Sequence, residues 1–205
     1  MAQVHANIGS ARGFAEPVLV SQSTFRSVMN AVARPGSIQT IESVADVPSL
    51  LMPAAAAVAL ALFDHDTAVW IDPVLSIETG IADWLRFQTG APLTTDASLA
   101  AFALVSSGSE LPEFSSFAQG TPEYPDRSTT LIVQVDTLVE GLELVLSGPG
   151  IRGTSPLRAG VLSSDFLERI QTNHAQFPQG VDLVLVCGSQ LVALPRSTQV
   201  TAREA

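Results

Sequence analysis

The chain has 205 residues, 46% of them hydrophobic and 15% charged, which suits one compact domain with an optional arm and allows a sizeable buried core. Its formal net charge is −10 and its basic side chains are scattered, which argues against nucleic-acid binding and against attraction to an anionic membrane. All ten basic residues are arginine, so a Schiff-base lysine for pyridoxal phosphate and a Walker A lysine are both excluded.

In chain order, residues 1–20 read as an extended N-terminal arm, because Gly9, Gly13 and Pro17 interrupt any helix. Residues 21–205 read as a single α/β domain. Ser21 or Ser23 caps a helix from Gln22 to about Ala33, with Phe25, Val28, Met29 and Val32 as its buried stripe. Arg34-Pro35-Gly36 ends it, and Ser37 to Ile41 follows as a short strand. Pro53 opens an alanine-rich helix to Phe63 that is apolar all round and therefore deeply packed. Asp64-His65-Asp66 is a turn and Thr67 to Ile71 a strand. Ile77 to Phe87 is a helix presenting Ile77, Ile81, Trp84 and Leu85, stopped by Thr89-Gly90-Ala91-Pro92.

Ala101 to Val105 is a strand, Leu111 to Ala118 a short helix, and Thr121 to Arg127 a loop. Thr130 to Val135 and Leu142 to Leu146 read as an antiparallel pair joined through Gly141. A last helix, Asp165 to Ile170, is capped by Ser163 or Ser164. The closing hairpin joins the apolar run Val181 to Cys187, unbroken enough to be buried on both faces, to Leu191–Leu194. Together these predict a three-layer α/β/α sandwich, with helices on both faces of a mixed sheet.

Three patterns invite a chemical reading. Gly148-Pro149-Gly150-Ile151-Arg152-Gly153 matches the spacing of a dinucleotide loop, but no helix pattern follows it, which favours a rigid post-strand loop. Asp64-His65-Asp66 lacks metal-ligand spacing to His5 or His174 and reads as a solvated turn, so no metal is expected. Cys187 ends a buried strand and reads as a core thiol; as the lone cysteine it rules out an intramolecular disulfide and suits a reducing cytoplasm. The first residues lack the apolar core of a secretory signal, and Leu50 to Phe63 is too short to span a bilayer, so a cytoplasmic location is expected. Arg26, Arg86 and Arg196 are the candidate anion-binding residues. The commoner alternative for each is a surface ion pair.

The segments QSTFRSVMNAVARPG, ALFDHDTAVW, LRFQTGAP, TLIVQV with LELVLSGPGI, and FPQGVDLVLVCGSQLVALPRST, in this order, resemble the H-subunit family of the bacterial carbon–phosphorus lyase complex. Val32 stands where that family usually has Met, and Gln88 where His is common, so a His there is not an essential ligand. The resemblance implies a fold like that of pyridoxal-phosphate-dependent transferases without the cofactor. It implies a homodimer when isolated and association with the G, I, J and L subunits. It also implies a part in forming α-D-ribose 1-methylphosphonate 5-triphosphate from ATP and an alkylphosphonate, with adenine released. The expected role is assembly, with no cofactor and no catalysis by the chain alone. The alternative is an enzyme subunit that supplies Arg26, Arg86 or Arg196 to a phosphate or phosphonate site at a subunit interface.

Overall fold

A computed structural model describes residues 17–42, 44, 47–77, 79–160 and 162–203. Of the expected arm, residues 1–16 lie outside the described residues, and residues 17–20 are already helical. The first helix, α1, spans Pro17–Ala33. A proline breaks a helix interior but suits its first turn, where its missing N–H has no partner to lose. The chain continues through β1 (Gln39–Thr40), α2 (Pro53–Leu62), β2 (Val69–Ile71), α3 (Pro73–Ile77), α4 (Thr79–Thr89), β3 (Leu93–Thr94), β4 (Phe102–Val105) and β5 (Thr130–Gln134). Then come β6 (Leu142–Ser147), β7 (Ser155–Ala159), α5 (Phe166–Ala175), β8 (Asp182–Cys187), β9 (Gln190–Leu194) and β10 (Gln199–Ala202).

The central sheet has seven strands in the order β1-β9-β8-β5-β4-β2-β3. Strands β2, β3, β4, β5 and β8 run parallel, while β9 and β1 are antiparallel. The mixed sheet and the closing hairpin therefore stand as expected. Side chains along the inner strands alternate between two cores. Leu104, Ile132, Val184, Val186, Leu191 and Ala193 face one. Ala103, Val105, Leu131, Val133, Leu183 and Leu185 face the other. A strand buried on both faces needs no polar alternation, which is why Val181–Cys187 reads as one apolar run.

The first core is closed by helices. Every alanine from Ala54 to Ala57, with Ala59, is fully buried in α2, and their small size lets α1, α2 and the sheet approach closely. The second face departs from the expectation of helices alone. It is covered by α5 and by a three-stranded antiparallel sheet, β10-β6-β7, whose Leu144, Leu146 and Leu157 enter the second core. The expected β5–β6 pair is corrected on the same ground. Both ladder edges of β5 are taken by β4 and β8, so β6 leaves for the second sheet.

Other corrections are local. The helix expected over Leu111 to Ala118 is only a 3-10 turn, Phe114–Ser116, since Pro112 interrupts the run and Phe114 and Phe117 turn into the core. In place of one helix from Ile77, α3 and α4 follow one another, and Ile77 is exposed. Neither Ser163 nor Ser164 caps α5; its N-cap is Asp165, without a side-chain capping bond. Strands β3, β7 and β10 were not expected. Pro156 is accommodated because β7 is an edge strand. Among the described residues no helix is long and apolar enough to cross a membrane.

The second sheet is clamped at its exposed surface. Glu143 on β6 accepts from Arg203, just past β10, and from Arg158 on β7 at 2.7 Å. The Arg203 hydrogen bond first, then that of Arg158, holds the Glu143 carboxyl below the usual glutamate range. A carboxyl whose pKa is lower folded than unfolded stabilises above its unfolded value, and that contribution is lost as pH falls through the folded one. A Glu143→Gln variant should therefore lose melting temperature less steeply than the parent between about pH 5 and pH 3. Parallel profiles for the two proteins would remove this clamp from the acid response.

Candidate functional site

In open α/β sheets ligands are commonly met at the carboxyl ends of the parallel strands. Here that edge is closed by its own side chains. Asp72, just past β2 and buried, accepts from the Leu75 N–H at 2.8 Å and so caps α3. Its other oxygen accepts from the Ser106 N–H at 2.6 Å and the Ser106 hydroxyl at 2.5 Å, tying β2 to the loop after β4. Gln134, the last residue of β5, is also buried. Its Oε1 accepts from the Met52 N–H at 2.5 Å, and its Nε2 donates to Leu50 O at 3.0 Å and Ser106 O at 3.3 Å. The Cys187 thiol donates to Asp136 O at 3.3 Å, in keeping with a packed rather than a reactive thiol. The Gly188 carbonyl accepts from the Ala54 N–H at 2.8 Å, one of the otherwise unpaired donors at the start of α2.

At the opposite edge of the sheet stands Arg196. Asp182 opens β8, and Arg196 follows the end of β9, so the hairpin brings them together. The guanidinium grips the carboxylate through Nη2 to Oδ2 at 2.5 Å and Nε to Oδ1 at 3.1 Å, and the Arg196 N–H adds a third bond at 2.8 Å. Its Nη1 donates to Pro125 O at 2.7 Å and its Nη2 also donates to the Ser128 hydroxyl. Arg196 is thus spent on a structural pair across the sheet. His174 donates from Nδ1 to the Arg196 carbonyl at 3.0 Å, since a carbonyl can only accept.

The other two candidate arginines lie elsewhere. Arg86, in the last turn of α4, is exposed and 3.5 Å from Asp83. Arg26 is exposed on α1 and has no ion-pair partner among the described residues. Of three surface cavities of roughly similar size, Arg196 lines one, and neither Arg26 nor Arg86 lines any. None of these three cavities is lined by more than one of the three candidate arginines. A second cavity, near α5, holds Arg169, but Asp165 and Glu113 neutralise it at 2.5 and 2.9 Å, and Glu168 adds another carboxylate. Asp64-His65-Asp66 is a turn, with His65 and Asp66 3.4 Å apart and more than four-fifths exposed. Among the described residues no group of three or more His, Cys, Asp or Glu could hold a metal ion. The loop from Gly148 to Gly153 joins β6 to β7 with no helix after it, as the absence of a helical pattern implied.

What stands open to a partner is apolar. On α1 the buried face is Thr24, Val28 and Ala31, against α2 and β9, and Phe25, Met29 and Val32 are exposed at 49%, 49% and 38%. The expected stripe is therefore corrected: only Val28 of its four residues is buried. The small face wins because the tight alanine surface of α2 admits only small neighbours. Val18, Phe25 and Val32 recur every seven residues, with Met29 between the last two, which is the spacing of a helix-pairing seam.

A family model described as bacterial phosphonate metabolism protein (PhnH) matches residues 12–201. The chain is 44% identical over 187 residues to the alpha-D-ribose 1-methylphosphonate 5-triphosphate synthase subunit PhnH of Rhizobium meliloti (strain 1021), covering 91% of this chain and 93% of that one. It is 30% identical over 184 residues to the putative C-P lyase subunit protein HtxG of Stutzerimonas stutzeri, covering 90% and 87%.

Proposed function

The chain belongs to the bacterial phosphonate metabolism protein (PhnH) family, and from that premise we propose that it is an assembly subunit of a carbon–phosphorus lyase system. In this reading it works with partner subunits in forming α-D-ribose 1-methylphosphonate 5-triphosphate, the product in the name of its Rhizobium relative. The bond-making groups belong to the partners. The one observation that carries the assembly role is the α1 seam, a row of large apolar side chains left uncovered beside a well-closed core. Its occupant is an amphipathic helix of a partner subunit, seated along Val18, Phe25, Met29 and Val32. The groups best suited to chemistry are already engaged: Asp72 caps a helix, Asp182 holds Arg196, and Cys187 and His174 meet carbonyls. A likeness to pyridoxal-phosphate-dependent transferase folds belongs to the same proposal, and a lysine-free chain is compatible only with a cofactor-free version of it.

Co-expression with the other subunits tests the seam. Phe25→Glu and Met29→Glu should each lower the amount of complex recovered about ten-fold or more, as expected for a large apolar anchor in an interface. The melting temperature of the isolated chain should barely move, since both side chains are half-exposed. Undiminished recovery with Phe25→Glu would sink the reading. A seam covered instead by a second copy would appear as a dimer that Phe25→Glu splits while leaving the complex intact, and that too would overturn it.

A further inference from the structure

Nine of the ten arginines lie among the described residues, and six of the nine have a carboxylate or aromatic partner. Arg26, Arg34 and Arg152 have none among the described residues. Two of these three, Arg34 and Arg152, line the same cavity, of about 260 Å³, between the end of α1 and the loop from Gly148 to Gly153. Its lining adds Thr154 and Ser155 and, among the described residues, contains no Asp or Glu. In a chain with twice as many acidic as basic residues, two arginines lining one cavity with no described carboxylate beside them need an explanation. From this cavity we infer an anion-binding site in which Arg34 and Arg152 take a phosphoryl or phosphonate dianion, with Thr154 and Ser155 donating hydroxyl hydrogens.

The scaffold beneath the two arginines is fixed. Gly150 has φ +81°, and a Cβ there would stand 2.1 Å from Ala33 O, so the loop backbone rests directly on the last turn of α1. Gly36 has φ +84°, and a Cβ there would meet Leu146 Cδ1 at 2.7 Å. The Ile151 N–H closes the loop onto Gly148 O at 3.2 Å, and the Ser37 hydroxyl closes the other side onto Arg34 O at 2.7 Å. The two arginines thus stand on backbone segments held against each other.

A plainer account is that Arg34 serves the helix end, where a cation favours the macrodipole. That end carries roughly half a negative charge, however, and two arginines line the cavity, so the helix end does not account for Arg152. The cavity lies below the range of about 300–1,000 Å³ of drug-sized sites, so it suits a phosphate or phosphonate head group and not a whole nucleotide. Both arginines are exposed, so water competes and binding is modest.

The site is independent of the assembly role, because it is read on the isolated chain. Amide chemical shifts of the isotope-labelled full chain are followed during titration with inorganic phosphate and, separately, methylphosphonate. Saturable shifts confined to the neighbourhood of Gly150 to Ser155 and Ser37 are expected. Arg34→Gln and Arg152→Gln should each weaken binding about ten-fold, whereas Arg86→Gln should not. Arg34→Lys, which keeps the charge but loses the fork, should fall between. Equal affinity for the two probes assigns a phosphate site, and tighter methylphosphonate binding a phosphonate site whose carbon faces Ile151. No saturable shift there at tens of millimolar, or unchanged shifts in a folded Arg34→Gln/Arg152→Gln variant, would overturn the assignment.

Discussion

Asp182→Ala should lower stability by about 3 kcal/mol, because it strands a guanidinium that is only 12% exposed. For a domain of this size that amounts to about 6–12 °C in melting temperature. After the substitution Arg196 keeps the Pro125 carbonyl and the Ser128 hydroxyl, which are neutral and cannot replace the lost charge. The pair is asymmetric. Asp182 is 29% exposed, so Arg196→Met leaves a carboxylate that water still reaches, and about 1–2 kcal/mol is the expected loss. The double variant Asp182→Asn/Arg196→Met should then be no worse than Arg196→Met alone, since the stranded charge is gone. Thermal melts of the three variants decide it. Asp182→Ala melting within about 2 °C of the parent would show that the pair holds little.

The second large effect is expected at Gln134. Gln134→Leu keeps much of the volume and discards the polar head, so the loss measures hydrogen bonds more than packing. The Met52 N–H, Leu50 O and Ser106 O would lose their partner at a buried position. Each group left dry costs about 1–3 kcal/mol, and partial access of water brings the expected total to about 3 kcal/mol. The effect has an address. Met52 is the N-cap of α2 and has no capping side chain of its own, so the start of that helix should loosen first. Hydrogen exchange checks this: the Met52 and Ala54 amides should exchange faster, while those in the middle of β8 keep the protection of the global fold. Exchange that rises evenly over the whole chain would contradict a local brace.

The closing hairpin and α2 could be read from sequence because their signals are local. A run such as Leu183–Val186 is apolar on both faces, and Ala54–Ala59 opens with a well-placed proline. For Arg196 the sequence offered only the general alternative of a surface ion pair; that its partner is Asp182, at the other end of the same hairpin, follows from the pairing of β8 with β9. The face of α1 was not legible. Phe25 and Met29 outrank Thr24 and Ala31 in hydrophobicity, yet the shape of α2, a neighbour in space, decided which side is buried. β7 hid behind Pro156 and Arg158, and β6 was assigned to β5 because nothing in either strand announces that both edges of β5 are occupied. Of the phosphate-site residues, Arg152 sat in plain view inside a glycine-rich motif. Its companion Arg34 is far away in the chain, and only the contact between Gly150 and the end of α1 brings the two together.

The register of the two sheets also constrains the order in which the fold can close. β1 is paired through Gln39↔Leu191, and the second sheet is completed through Gln199↔Ser147. The first described strand therefore waits for a partner far along the chain. Until residues 190–202 are in place, β8 lacks one neighbour and β6 another, and the apolar side chains they share remain partly uncovered. Pairings so distant in sequence make loop closure slow, so these contacts form late in folding and not from local segments.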